Sequence, residues 1–402
     1  MHMAELTALL TAEGLRLLDE VTGEMAAASG TSQPDVAHQV SRMRAAGHSP
    51  ELVSAVVGQA RLRAKARAKF GEFADHMLFT PAGLEQATRL PVAALHAARF
   101  RRAGLMRVAD LGSGIGGDAL GFSGAGLEVL AVDADEVTAA LVSYNLAPFG
   151  AQVRHARAED VDLSGVDAVW LDPARRTAGH TETQRVGAAD YSPSLQWAEQ
   201  VAAARPLGMK LGPGFDRDEI PAEAEAQWIS VDGSVVELVL WFGALARPGV
   251  RRAALVMRAD VVHEITAAAD SPDVDVRELG AFVHEPDGSV IRARLIGDVA
   301  RALDAGMLAE GMAYLTGDAP VTSPFVSSFR VREVLPNDVK ALARALRERG
   351  IGTLEIKKRG VDVDPAALRT RLALKGSEAA TLILTRRGNT RLTVLADRVP
   401  RG

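Results

Sequence analysis

The sequence predicts an α/β protein, in which a doubly wound, mostly parallel sheet follows a helical N-terminal region and precedes a C-terminal α+β domain. Three observations lead to this fold class. Apolar residues recur at helical spacing through residues 1–100, strands and helices alternate between about 104 and 245, and the two are mixed from 281 to 402. The expected domains are a helical N-terminal region at 1–100, the sheet domain at 101–250, a connector with the start of the α+β region at 251–330, and a basic domain at 331–402.

Helix signals run along the N-terminal region. Leucines recur at about helical spacing between Leu6 and Leu18. The segment 61–69 places basic residues at every second position, which could mimic a strand, but its alanines favour a helix.

Seven short apolar segments in the central region have the length and composition of strands. They cover residues 106–111, 128–133, 151–155, 167–172, 207–212, 226–231 and 235–242. Asp232-Gly233 between the last two segments is a hairpin signal, so we expect the final strand to run antiparallel. A further strand is expected near 252–257 in the connector.

The C-terminal part mixes both kinds of element in a way that is typical of a separate α+β domain. Strands are expected near 312–315, 326–334, 352–357, 379–385 and 391–397. Helices are expected at 289–303, 337–349 and 364–372.

The composition excludes several classes of protein. With no cysteine among its 402 residues, the chain has no disulfide, no thiolate zinc site and no cysteine nucleophile. The histidines are scattered without ligand spacing, so no metal site is expected. The chain shows no run of the roughly 18 apolar residues that a membrane span needs and begins without a secretory signal pattern. We expect a cytoplasmic protein.

Charge is distributed unevenly along the chain. The net charge is −5, but residues 41–102 hold 11 basic and 4 acidic side chains, and residues 331–402 hold 16 and 8. Residues 103–330 hold 18 basic and 33 acidic side chains. Two basic ends around an acidic centre suit a polyanionic partner that is bound outside the active site, although solvated basic helices would give the same balance.

The most informative local pattern is an apolar run that ends in a glycine-rich turn at residues 106–118. Glycines let the backbone approach a nucleoside closely, and the next helix N-terminus favours negative charge. Asp133 follows where a carboxylate can hold both ribose hydroxyls. Asp110 can face a cationic amino group, and Glu159-Asp160 can accept from an adenine amino group. Together they predict a nucleoside-cofactor site, with Asp172 after the fourth strand as a catalytic group beside it.

The glycine turn and the two acids resemble a known family. Val108-Ala109-Asp110-Leu111-Gly112-Ser113-Gly114-Ile115-Gly116-Gly117-Asp118 resembles motif I of class I S-adenosylmethionine-dependent methyltransferases, and Val132-Asp133 resembles their strand-two acid. Asp172-Pro173-Ala174-Arg175 resembles their motif IV. Seven strands with a terminal hairpin also suit the Rossmann-like methyltransferase sheet better than a six-stranded dinucleotide fold. The resemblance implies S-adenosylmethionine as cofactor, held by Asp110, Gly112, Gly114, Gly116 and Asp133, with Glu159 or Asp160 at its adenine.

Two further segments are similar to parts of RNA-modifying enzymes. Residues 79–88 are similar to the pre-motif of RNA guanine-N2 methyltransferases, where a Thr-Pro turn opens a helix over the cofactor, so Thr80 would cover the methionine end. Residues 354–361 and 374–376 look like the C-terminal THUMP-like domain of one bacterial branch of such enzymes. Since THUMP domains are associated with tRNA binding, the resemblance implies a tRNA or rRNA substrate methylated on a base nitrogen, with guanine N2 favoured. The basic residues expected at the RNA are Arg175, Lys357, Lys358, Arg359 and Lys375.

Motif IV carries the chemical argument. An exocyclic base nitrogen is planar and poorly nucleophilic, so it needs acceptors for its N–H bonds rather than a strong base. Asp172 and the carbonyl of Pro173 can accept these bonds and aim the lone pair at the methyl group. Ala174 and Arg175 stand where such enzymes have a second proline and a base-stacking aromatic residue, and Arg175 can stack or hold a phosphate there. A uracil-C5 enzyme is excluded, because that reaction needs a cysteine.

Other interpretations stay open at this point. Arg175-Arg176 and Lys210 can meet phosphate at the mouth of the pocket or simply be solvated. The protein could be a small-molecule methyltransferase with incidental basic ends, or an RNA-binding protein with a degenerate cofactor site. A nicotinamide enzyme is the remaining alternative, because Gly112, Gly114 and Gly117 also fit the dinucleotide fingerprint.

Overall fold

The computed structural model of the chain describes residues 1–28, 36–175 and 191–400. The helices in these ranges are α1 (Met3–Leu9), α2 (Ala12–Ala28), α3 (Val36–Ala45), α4 (Pro50–Phe70), α5 (Pro81–Gln86), α6 (Leu90–Arg102), α7 (Gly117–Gly124), α8 (Glu136–Leu146), α9 (Leu195–Ala204), α10 (Gly288–Arg292), α11 (Ile296–Ala302), α12 (Val339–Glu348) and α13 (Pro365–Leu372).

The strands alternate with these helices in the middle of the chain and dominate its C-terminal part. They are β1 (Arg107–Leu111), β2 (Glu128–Asp133), β3 (Gln152–His155), β4 (Ala168–Leu171), β5 (Ala174–Arg175), β6 (Tyr191–Ser192), β7 (Leu207–Leu211), β8 (Glu225–Val231), β9 (Ser234–Phe242), β10 (Arg252–Arg258), β11 (Val261–Ala267), β12 (Phe282–Pro286), β13 (Gly306–Ala309), β14 (Met312–Gly317), β15 (Val326–Leu335), β16 (Ile351–Lys358), β17 (Glu378–Arg387) and β18 (Thr390–Arg398).

The chain forms two compact units. The first contains residues 1–219 and 240–246, and the second contains residues 220–239 and 247–402. No helix in the described ranges is both long and apolar enough to cross a membrane.

The first unit is built on parallel strands in the order β3-β2-β1-β4-β7, with the end of β9 next to β7. β1 lies at the centre, where Ala109 pairs with Leu130 on one side and Val169 on the other. Trp170 is buried among other aromatic rings, as its place on the fourth strand predicts. This order brings the carboxyl ends of β1, β2 and β4 together at one edge of the sheet.

Helices α1 to α4 form the N-terminal part of this unit. Their leucines and valines pack into one apolar cluster, which Leu141 of α8 joins. Helix α4 begins at a cap in which the Ser49 side chain accepts a hydrogen bond from the Leu52 amide, with Pro50 in the first turn. The helical N-terminal region predicted from the leucine spacing is therefore confirmed.

In the second unit, β8 is flanked by β9 and by β10, which runs parallel to it, and β11 pairs antiparallel with β10. The predicted turn between β8 and β9 is present, because Asp232 and Gly233 both have positive φ. Strand β11 was not predicted from the sequence. Its turn is Ala259-Asp260, two residues that carry no hairpin signal but adopt positive φ, and its Val261 is 55% exposed.

The remainder of the second unit contains a seven-stranded sheet in the order β13-β14-β12-β15-β18-β17-β16. One apolar cluster joins α12 and α13 to β16 and β17. The single helix predicted at 289–303 is wrong: α10 and α11 are separate, because Arg294 between them has a φ of 58° that ends a helix. The strands β12 and β13 were also missed, since one ends in a proline and the other has only four residues.

The first prediction concerns the packing of α7, the helix that follows the glycine turn. A Cβ atom on Gly121 would lie 2.7 Å from the Ala93 Cβ and 2.9 Å from the Ala93 carbonyl oxygen. We expect Gly121→Ala to lower the free energy of unfolding by about 1–3 kcal/mol through overpacking. Urea unfolding followed by tryptophan fluorescence measures this change, since Trp170 and Trp241 lie in the core of the same unit.

Gly124 of the same helix is the matched control. A Cβ there meets nothing within 4 Å, so Gly124→Ala should leave stability unchanged or raise it by up to about 1 kcal/mol through helix propensity. Equal stabilities for the two variants would show that the close approach of α6 and α7 contributes nothing.

Candidate active site

The glycine turn is fixed between its neighbouring strands by backbone hydrogen bonds. The amides of Gly112 and Ser113 donate to the Val132 carbonyl at 2.9 and 3.0 Å, and the Asp172 amide donates to the Leu111 carbonyl at 3.0 Å. The ends of β1, β2 and β4 are thereby held together, and the acids that follow β2 and β4 lie on either side of the turn.

Gly112 is required by a close backbone approach. Its φ is 79°, and a Cβ atom there would lie 2.4 Å from the Asp172 carbonyl oxygen. Any other residue would push Asp172 away from the turn. Gly116 is the N-cap residue of α7, and a Cβ atom added there would meet the Val142 side chain at 2.7 Å. At Gly114, by contrast, an added Cβ would face open space.

Asp133 is tied to the same turn. One carboxylate oxygen accepts from the Gly114 amide and the other from the Asp135 amide, both at 2.9 Å. Burial raises the pKa of the Asp133 carboxyl above its usual value, against the effect of these amides. A carboxylate has about four acceptor positions, so acceptor capacity remains for a ligand.

Asp110 is the most unusual group of the site. It is 1% exposed, and neither carboxylate oxygen has a hydrogen-bond partner among the described residues. Burial raises the Asp110 pKa well above its ordinary value, and the nearby Asp118 and Asp172 raise it further. A buried acceptor without a donor is costly for the protein alone, which indicates a position kept for a ligand.

Asp118 belongs to a buried network that sequence reasoning missed. It accepts hydrogen bonds from the Thr88 hydroxyl at 2.7 Å and pairs with the His96 Nδ1 at 2.8 Å. Burial raises the pKa of Asp118, but His96, Lys210 and Thr88 outweigh it and hold the pKa below its usual value. No local pattern connects His96 of α6 to Asp118 of α7, so no sequence signal could have found this pair.

Asp172 and Lys210 form an ion pair at the end of β4. The Lys210 ammonium lies 2.5 Å from the Asp172 Oδ2 and 3.9 Å from the Asp118 Oδ2, and its side chain is 12% exposed. The alternative that Lys210 is simply solvated is therefore wrong, because Asp172 at the end of β4 and the buried Asp118 of α7 bind its charge. A contact between Lys210 and phosphate stays a prediction. Pro173 is buried beside Asp172.

Helix α5 lies against the glycine turn. As the Thr-Pro pattern predicts, Thr80 opens it, and its hydroxyl accepts from the Gly83 amide at 3.0 Å. Gly83 packs on Ile115 of the turn, which a Cβ would approach to 2.5 Å. At the other end, the Lys69 ammonium donates to the carbonyls of Leu84, Glu85 and Ala87 at 2.6–2.8 Å. Burial, with help from Arg89 and Lys210, lowers the Lys69 pKa to about 8.

Glu159 and Asp160 lie in a short 3-10 helix, Ala158–Asp160, after β3. Both are exposed, and Glu159 pairs with Arg157 at 3.2 Å. The Ala156 amide donates to the Asp133 carbonyl, so this segment begins beside the acid that ends β2.

The basic residues expected at RNA lie in different surroundings. Lys357 pairs with Glu285 at 2.6 Å, and the Arg359 guanidinium lies over the Tyr314 ring at 5.5 Å. Lys358 and Lys375 are exposed. Arg175 has its backbone in β5, while its side chain and Arg176 lie outside the described part of the chain.

Comparison with known proteins identifies the family. An uncharacterized S-adenosylmethionine-dependent methyltransferase of Mycobacterium tuberculosis H37Rv is 35% identical to this chain over 357 residues, which cover 86% of this chain and 95% of the relative. The protein of strain CDC 1551 / Oshkosh matches equally. The chain belongs to the S-adenosylmethionine-dependent methyltransferases.

Further comparisons agree with the assignment of this chain to the methyltransferases. The crystal structure of a protein from Porphyromonas gingivalis W83, described as a candidate methyltransferase, superposes with a TM-score of 0.73. It is 18% identical and covers 96% of this chain and 99% of its own, so it shows a shared fold. Residues 326–398 match the THUMP domain-like family, and residues 2–66 match a domain of unknown function. The predicted class I methyltransferase with a THUMP-like domain is confirmed.

The methyltransferase uses S-adenosylmethionine, and its site fits this cofactor in three respects. The buried, unpartnered carboxylate of Asp110 suits the cationic amino group of the methionine part. The open space at Gly114 leaves room beside the turn. Asp133 keeps acceptor positions that suit the hydroxyls of a ribose.

The second prediction concerns the stability of the methyltransferase without its cofactor. The folded protein holds the Asp110 proton to higher pH than the unfolded chain does, so this contribution to stability is lost as the pH rises through the folded pKa. We expect Asp110→Asn, which removes the buried charge, to raise the free energy of unfolding by about 1–2 kcal/mol near pH 8. The gain should shrink as the pH falls towards the ordinary aspartate pKa of about 3.9, below which the carboxyl is protonated in both the folded and the unfolded protein.

Urea unfolding of both proteins across this pH range measures the difference. A variant that is less stable than wild type at the alkaline end would show that the Asp110 carboxylate has a favourable partner in the folded protein.

Proposed function

We propose that this methyltransferase acts on structured RNA, tRNA or rRNA, and transfers the methyl group to a base nitrogen, with guanine N2 favoured. The observation that carries the chemistry is the Asp172–Lys210 ion pair at the end of β4, directly beside the glycine turn. The RNA substrate is supported by the match of residues 326–398 to the THUMP domain-like family and by the basic charge of residues 331–402. The pre-motif at residues 79–88 supports guanine N2.

The cofactor is held by residues around the turn. Asp110 binds the methionine amino group, the backbone at Gly112, Gly114 and Gly116 lies along the cofactor, and Asp133 holds the ribose hydroxyls. Glu159 or Asp160 accepts from the adenine amino group, and Thr80 covers the methionine end. S-adenosylmethionine supplies an electrophilic methyl group on a sulfonium.

Asp172 orients the nucleophile. The Lys210 ammonium, 2.5 Å from the Asp172 Oδ2, holds the Asp172 carboxylate by a charge-assisted hydrogen bond and limits its rotation. The carboxylate and the Pro173 carbonyl accept the N–H bonds of the base amino group, which directs the nitrogen lone pair along the line of transfer. As the nitrogen bonds to the methyl group, the methyl–sulfur bond would break and leave a neutral thioether. The nitrogen becomes positive, and the Asp172 charge stabilises it until its extra proton passes to water.

Different parts of the chain have different roles in this proposal. Residues 101–250 carry the transfer reaction, and residues 331–402 bind RNA through exposed side chains such as Lys358 and Lys375. Lys357, Arg359 and Arg175 are further candidate RNA contacts. Residues 1–100 support the cofactor turn from one side, and 251–330 connect the two activities.

The third prediction tests the role of Asp172. Asp172→Ala should lower the rate of methyl transfer at least about 100-fold, because the acceptor that orients the amino group is lost. The affinity for S-adenosylmethionine, measured by calorimetry, should change less than about tenfold, or roughly 1.4 kcal/mol. Asp162→Ala, an exposed acid that bonds only with Ser164 in the described part of the chain, is the control and should keep both properties. A collapse of cofactor affinity in Asp172→Ala would instead make Asp172 a cofactor ligand.

The fourth prediction tests the substrate. Nucleoside mass spectrometry of tRNA and rRNA from cells without the gene should show the loss of one methylated base, N2-methylguanosine, because its amino group fits the acceptors described above. Wild-type protein should restore the base, and Asp172→Ala should not. Loss of another methylated nucleoside would move the proposal to that base, and unchanged RNA would contradict an RNA substrate.

A further inference from the structure

The exposed side of α4 carries a basic stripe, which we define as Arg61, Lys65 and Lys69 together with Arg89. The first three are four residues apart and therefore follow one side of the helix. Arg61 and Lys65 are exposed, whereas the opposite side of α4 is buried in the N-terminal apolar cluster. Small residues, Gly58, Ala64 and Ala68, flank the stripe, so a ligand backbone can approach it closely.

Two cations of the stripe, Arg61 and Lys65, have no acidic partner in the described part of the chain. Among the described residues, no carboxylate lies within 4.0 Å of the Arg61 or Lys65 head groups. Some other exposed arginines of this region do have acidic partners, as in the Arg16–Glu20 pair at 2.5 Å and the Arg67–Asp75 pair at 2.7 Å. Charged surfaces without internal partners attract ligands of opposite charge.

The stripe leads to the catalytic edge within the first compact unit. Arg89 donates to the Ala68 carbonyl, and Lys69 donates to the carbonyl end of α5. The other end of α5 starts at Thr80, and Gly83 packs on the glycine turn. The stripe therefore runs from the open side of α4 to the helix that packs on the glycine turn.

We infer that this stripe binds the phosphates of the RNA substrate and guides the target strand to the Asp172 edge. This assigns a role to the N-terminal helical domain, which matches only a family of unknown function. The inference rests on the proposed RNA methyltransferase activity and deepens it. Phosphate contacts of this kind set position and affinity without reading sequence.

The fifth prediction uses the full-length double variant Arg61→Gln/Lys65→Gln, which leaves Lys69 and Arg89 in place to hold α5. Filter binding of total tRNA at several salt concentrations should show affinity about tenfold weaker and a salt slope lower by about 2, one for each lost phosphate contact. With undermethylated RNA as acceptor, KM should rise while kcat and the affinity for S-adenosylmethionine stay unchanged.

The matched control is Arg101→Gln/Arg102→Gln. These two exposed arginines end α6 and precede β1, at the amino edge of the strands and away from the site. The control removes the same charge and should bind tRNA as wild type does. If both double variants lose the same tRNA affinity, the inference about the stripe is wrong, because the loss of total positive charge would explain the result.

The remaining outcomes separate this inference from the proposed function. If the wild-type protein methylates RNA and the Arg61→Gln/Lys65→Gln variant binds tRNA with unchanged affinity, the inference about the stripe is wrong and the proposed function still holds. Wild-type protein without salt-dependent tRNA binding or RNA methylation overturns both. If the variant loses binding to phosphatidylserine vesicles but not to tRNA, the stripe serves a membrane surface and the inference is wrong.

Discussion

Three carboxylates, those of Asp110, Asp118 and Asp172, crowd around the carboxyl ends of the central strands, and the rest of the site depends on how their repulsion is resolved. Lys210 supplies a cation between Asp118 and Asp172, and His96 with Thr88 supplies hydrogen bonds to Asp118. Asp110 receives no hydrogen bond from the described residues, and burial raises its pKa although the Lys210 charge acts in the opposite direction. A buried carboxylate without a hydrogen-bond donor lowers stability, and such groups occur at functional sites, where stability is exchanged for function.

Close packing of the backbone determines where these charges lie. Gly112 allows the Asp172 carbonyl to approach the turn, and Gly83 allows α5 to lie on Ile115. Lys69 of α4 donates to the carbonyl end of α5. The N-terminal helices therefore hold the helix that packs on the glycine turn. The N-terminal helices also share an apolar cluster with α8. The N-terminal region is therefore part of the structure that forms the site.

Net charge by sequence region is a poor measure of a binding surface in this protein. In the C-terminal region, Arg332 pairs with Asp397 at 2.5 Å, Arg349 with Glu333 at 2.5 Å and Arg398 with Glu355 at 2.6 Å. Cations neutralised in this way contribute little to a field that attracts a polyanion. The side chains that remain outside such pairs, on α4 and around Lys358 and Lys375, carry more of the argument for RNA than the count of lysines and arginines does.

The sequence by itself determined the strands around the glycine turn, the Thr80 cap, the hairpin at Asp232-Gly233, the cofactor class and the family. Each of these depends on residues that are close together in the chain, because turns, caps and strand periods are local. Only the tertiary structure decided that Lys210 pairs with Asp172, that His96 and Thr88 bind Asp118, and that Lys69 holds α5. These partners are 15 to 38 residues apart in sequence and lie on different elements, and burial determines which charges must pair. Strand β11 was not predicted from the sequence either. Its turn uses ordinary residues at positive φ, and this conformation depends on the pairing of β11 with β10.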